Sequence, residues 1–87
     1  FDDRPGKVKE QVKKHLSDLH NTLARAYELT VENGELDKNA DTQLMAQETF
    51  SYILAYHLYK KTLNDNKAKG RFQKSIQLLI ERNSTTI

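Results

Sequence analysis

Phe50-Ser51-Tyr52-Ile53-Leu54-Ala55-Tyr56-His57-Leu58-Tyr59 is the stretch whose reading decides the fold. Wound as a helix at roughly 100° per residue, its apolar residues leave no polar side: Phe50, Tyr52, Ile53, Leu54, Ala55, Tyr56, Leu58 and Tyr59 cover the whole circumference. A helix that is apolar all round must be covered all round. The rest of the chain supplies only two further helices, too few for that task, so part of the cover is expected from outside this chain.

Upstream, the same helix is amphipathic. Leu44, Met45, Ala46, Thr49 and Phe50 oppose Gln43, Gln47, Glu48 and Ser51, and the helix is predicted to run from about Thr42 to Asn64. Asp41 or Asn39 suits its start, because a short polar side chain accepts hydrogen bonds from the free N–H groups there. Before it comes a short polar connection, Glu35 to Ala40, anchored by Leu36. A first helix is predicted from Pro5 or Gly6 to Asn33, stopped by Gly34, since glycine tolerates the left-handed closing conformation. Two stripes run along it at three- and four-residue spacing. One is Val12, Leu16, Leu19, Leu23, Ala26 and Thr30; the other is Leu16, His20, Ala24, Tyr27 and Val31. Gln11, Lys14, Asp18 and Arg25 fall on the wet side, and Glu10 to Lys14 is a favourable pair. Downstream, Asn64-Asp65-Asn66 breaks the chain, and a third helix is predicted to about Asn83. Its apolar face is Phe72, Ile76, Leu79 and Ile80, with Leu78 extra. Ser84 to Ile87 is expected to fray. The reading is all-α, with residues 1–87 as one helical domain and no internal repeat.

Composition narrows the function. At 87 residues the chain is one small domain whose own core is marginal. It has no cysteine, which excludes disulfides and thiolate-held zinc and agrees with a reducing compartment. A protein partner is the remaining source of buried area, so oligomerisation is expected. Fourteen Lys and Arg stand against twelve Asp and Glu, a balance too even for nucleic-acid binding by this segment. No apolar run approaches the roughly 20 residues that span a bilayer. The N-terminus has neither a signal-peptide core nor an initiator methionine and reads as a trimmed start. A cytoplasmic protein is expected.

Chemistry-bearing patterns are few. His15 and His20 lie about 140° apart around a helix, and His57 is remote, so none pairs as a metal ligand. Glu28 and Glu32 share a face, but a solvated helix end explains them better than acid–base work. Gly6, Gly34 and Gly70 are isolated and make no phosphate loop. The lysines from Lys7 to Lys14 and from Lys60 to Lys74 are interleaved with core positions and read as solvated faces. Tyr52, Tyr56 and Tyr59 share a side; core packing accounts for them first, interface or pocket lining second. No enzyme, metal or cofactor is expected.

From Leu19 to Ile80 the sequence resembles the last three helices of TetR/AcrR-type transcriptional regulators. The matching features are a long helix ending in Val31-Glu32-Asn33-Gly34-Glu35-Leu36, an acidic residue (Asp41) opening the next, Ala46 five residues later, and a small residue, Ala55, inside an apolar run. Ala55 stands where glycine is commoner, and no helix-turn-helix or earlier pocket helix is present in these residues. The resemblance implies the C-terminal dimerisation and effector-sensing part of a repressor, with DNA bound only through a domain absent from this chain.

It also implies a homodimer whose last two helices pair with their copies in a four-helix bundle. The candidate interface is Ser51, Leu54, Ala55, Leu58 and Tyr59 with Phe72, Ile76, Leu79 and Ile80. The first helix would line an effector pocket. The candidates are Leu23, Phe50 and Ile53 as apolar wall and His20 and Tyr27 as polar contacts, for a small apolar or aromatic effector. Simple core packing explains the same five residues. The alternative is a free-standing helical interaction module of immunity or adaptor type, which a monomer with an apolar groove would favour.

Overall fold

The computed structural model describes residues 5–84 and contains three α-helices, with no strand among those residues: α1, Pro5–Glu32; α2, Thr42–His57; and α3, Ala68–Arg82. The all-α reading holds, and the boundaries fall where local chemistry puts them. Gly34, at φ +82°, closes α1: its N–H bonds the carbonyl of Val31 at 2.9 Å and that of Glu35 the carbonyl of Thr30 at 3.1 Å. This paired arrangement satisfies two carbonyls the helix end would otherwise leave open. Asp41, not Asn39, caps α2, its carboxylate accepting the Leu44 N–H at 3.0 Å.

The far end of α2 departs from expectation. Regular α-helix stops at His57, and Leu58–Thr62 widen into a π-type turn before Asn64 closes the run at φ +51°. Asparagine accepts this left-handed conformation more readily than other non-glycine residues. Asp65 then folds back, its side chain accepting the Lys67 N–H at 2.9 Å and pairing with Arg71 to lead into α3.

α2 lies between α1 and α3, whose backbones do not approach each other, and the whole is flat, 55 × 32 × 13 Å. The contacts His20–Gln43 and Tyr27–Thr49 advance in the same direction along α1 and α2. An antiparallel hairpin would pair them in the opposite order, so α2 meets α1 running in the same sense, and the connection from 33 to 41 carries the chain back along α1.

The core is small. Leu36, Met45 and Leu79 form its centre, packed by Tyr27, Val31, Ala40 and Tyr52, while Ala24, Ala46 and Ala68 fill close helix approaches. Leu36 anchors the connection as expected, and the Asp37 N–H bonds the carbonyl of Asn83 at 2.8 Å. Ser84, expected to fray, instead bridges to Leu36 and bonds the Ile80 carbonyl through its hydroxyl; Thr85 to Ile87 lie outside the described residues. Of the two stripes on α1, the second is the better packed, and only from His20 onward, while the first has only Leu23 and Thr30 half-buried. Val8, Val12, Leu16 and Leu19 are exposed. Lys14 pairs with Asp18 at 3.0 Å rather than with Glu10.

Candidate functional site

Of the five sequence-derived pocket residues, His20 and Tyr27 make contacts across the α1–α2 crossing. His20 Nε2 lies 2.7 Å from Gln43 Oε1, and the Tyr27 hydroxyl lies 2.6 Å from the Thr49 hydroxyl. Leu23, Phe50 and Ile53 are half-buried. Both polar groups expected to meet an effector are thus engaged across the helix crossing. Two hollows stand out among the described residues, and neither is lined by any of the five. One is a shallow groove on α1 around Asn21, Arg25 and Leu29. The other, about 240 Å³, sits between α2 and α3.

The candidate interface residues divide. Ser51, Leu54, Ala55 and Leu58 are exposed on one side of α2 and the π-type turn that continues it, with Leu54 and Leu58 each 55% accessible, and Tyr59 is exposed beside them. Extending that side toward the start of α2 adds Leu44, also exposed. Leu44, Gln47, Ser51, Leu54 and Leu58 follow the alternating three- and four-residue spacing of a seam between paired helices, with Gln47 and Ser51 its polar members. On α3, Ile80 is exposed and Phe72 and Ile76 are half-buried. Leu79 is a correction. It is fully buried within the protomer against Leu36 and Met45, because the connection folds under α3, and it has no surface left for a partner. Leu78, extra in the sequence reading, is the exposed leucine of α3. Glu48 of α2 and Arg82 of α3 form a two-pronged ion pair, at 2.7 and 2.9 Å, that ties the two helices together.

Arg25 bridges both Glu28 and Glu32, at 3.3 and 3.4 Å, so these carboxylates are paired at a solvated helix end. No cluster of His, Asp and Glu able to hold a metal occurs among the described residues. No helix among them is long and apolar enough to cross a membrane. The carboxyl of Asp65 is shifted by its surroundings. The Lys67 backbone N–H and, after it, the Arg71 guanidinium hold its carboxyl below the ordinary value.

The fold is a flat helical layer with an apolar row left exposed along its central helix. The chain belongs to the TetR regulator family: residues 1–76 match the domain described as Tetracyclin repressor-like, C-terminal domain. No curated protein and no solved structure matches it.

Proposed function

We propose that this chain is the dimerisation and effector-sensing part of a TetR-type transcriptional repressor, acting as a homodimer, without enzymatic activity and in the cytoplasm. Residues 1–87 form a single regulatory domain in this reading, and operator binding belongs to a separate domain of the parent protein. Family membership supports the regulatory role.

The observation that carries dimerisation is unburied surface. The chain exposes 7020 Å², against about 5,300 Å² for a compact monomer of its mass. A standard interface takes only about 800 Å² from each partner. The excess is therefore ample for a dimer seam, with surface to spare for other helices of the parent on α1. The seam is assigned to Ser51, Leu54 and Ala55 of α2 and Leu58 and Tyr59 of the π-type turn that continues it, with Phe72, Ile76 and Ile80 contributed by α3. Ala55 permits close approach of two helices. Sedimentation velocity at micromolar concentration should give a dimer mass for the native chain and a monomer or aggregate for Ala55→Arg. A monomeric native chain sinks the proposal and favours the adaptor alternative.

Effector sensing is assigned to the α1–α2 crossing, with His20, Leu23, Tyr27, Phe50 and Ile53 as its residues. A small apolar or aromatic effector would open the crossing by competing for the His20 and Tyr27 hydrogen bonds. In the full-length regulator, Tyr27→Phe should therefore shift the effector concentration needed for release from DNA; an unchanged response removes Tyr27 from the site.

A further inference from the structure

The hollow between α2 and α3 has no lining residue from α1; Ala55, Tyr59 and Phe72, which line it, also belong to the proposed seam, so it opens beside that seam, and a seam of apolar contacts leaves its cationic rim without a role. Three of the chain's four tyrosines, Tyr52, Tyr56 and Tyr59, wall it from one side and Phe72 from the other. It exists because small side chains stand between these rings: Ala68 is buried at the hollow, and Ser75 leaves the next turn of α3 unfilled. The Tyr56 and Phe72 rings meet at 5.4 Å, tilted by 39°.

The rim is cationic. The Arg71 guanidinium lies 5.5 Å from the centre of the Tyr59 ring, and the Lys60 ammonium 5.5 Å from that of Tyr56. Asp65 accepts from one nitrogen of Arg71 and so holds the guanidinium in place at the rim. A guanidinium has five N–H donors in a planar fork, so this pairing leaves donors for a second acceptor. Charge is also concentrated here. Between His57 and Lys74 there are six Lys and Arg against the single Asp65, in a chain whose net charge is only +2.

We infer that this hollow binds a small planar aromatic carboxylate, its ring stacked among Tyr52, Tyr56 and Phe72 and its carboxylate on the Arg71 guanidinium. A volume of about 240 Å³ lies just under the range of roughly 300–1,000 Å³ that takes drug-sized ligands, so one or two fused rings fit. Aromatic walls reward a flat ring, and a charge-assisted pair with arginine selects the carboxylate over a neutral isostere. The site stands on the residues of one protomer and is independent of the effector assignment at the α1–α2 crossing.

The test is amide-shift NMR titration of the 87-residue chain with 1-naphthoate, using 1-naphthamide as the uncharged control. Saturable shifts are expected at Tyr52, Tyr56, Phe72 and their neighbours, with naphthamide bound more weakly. Arg71→Gln should weaken naphthoate binding by about tenfold or more, the loss of a hydrogen bond to a charged group. Ser75→Phe, which fills the hollow and leaves Arg71 intact, should abolish the shifts; it decides the matter even if Arg71→Gln perturbs folding. Absence of saturable binding, equal binding of the amide, or native affinity in both variants overturns the inference. Shifts centred on Tyr27 and Ile53 also overturn it and place the ligand at the α1–α2 crossing instead.

Discussion

Tyr27 illustrates how a single side chain changes meaning between sequence and structure. Its position on a stripe of α1 made it a candidate ligand contact, whose hydroxyl folding could lose at little cost. In the fold the hydroxyl meets that of Thr49, which is buried, so its removal leaves a buried polar group short of a partner. Tyr27→Phe should lower unfolding free energy by about 1 kcal/mol, read from urea denaturation; an unchanged midpoint would mean that water replaces the contact. Leu79 sets the scale for the core. Leu79→Ala opens a void where packing has little freedom to collapse and should cost about 2–5 kcal/mol, enough to unfold a domain with so few buried side chains. Asp65 gives a pH signature. Its carboxyl is held below 3.8, first by the Lys67 N–H and then by Arg71. The carboxylate lock on the start of α3 is therefore fully present above about pH 3.8 and is lost as pH falls through the lowered value. Asp65→Asn should remove that part of the acid dependence, as followed by helicity against pH.

The elements were legible wherever a local rule fixes them. Gly34 and Asp41 end one helix and start the next through hydrogen bonds made within a few residues. Asp41→Ala should cost about 1 kcal/mol through loss of the cap, measured by thermal or urea unfolding, and Asp41→Asn much less. The π-type turn at Leu58–Thr62 carried no such signal. Lys60, Lys61 and Thr62 read as ordinary helix, and all five residues of the turn are exposed. The two stripes of α1 were equally good by spacing. Only the crossing with α2 selected His20, Ala24, Tyr27 and Val31 as the better packed one and left Val12, Leu16 and Leu19 in water.

At the scale of the molecule, the radius of gyration is 16.0 Å, where a compact chain of this length has about 12 Å. Three helices laid flat bury one edge of each neighbour and leave two broad faces. Stability in this arrangement should depend on protein concentration, because a partner that binds only the folded chain stabilises it by mass action. The unfolding temperature of the native chain should rise across a hundredfold increase in concentration, and that of Ala55→Arg should not. A native midpoint independent of concentration would separate folding from dimerisation.

The sequence by itself determined that the chain is all helical, where its helices begin and end to within a few residues, apart from the far end of α2, predicted at Asn64 and found at His57, and that the run from Phe50 to Tyr59 carries more apolar surface than two neighbours can cover. These follow from hydrogen bonds and side-chain periodicity that act over a turn or two of chain. The family was also legible, in the pattern from Val31 to Ala55. Only the tertiary structure decided that α2 lies between α1 and α3, that Leu79 is core and Leu78 surface, and that Arg71 and Ser75 face Tyr52, Tyr56 and Tyr59 across a hollow. Which side of a helix is buried depends on the angle at which another helix crosses it. That angle is settled by residues far apart in sequence, here Leu36 wedged between Met45 and Leu79, whose meeting no local spacing encodes.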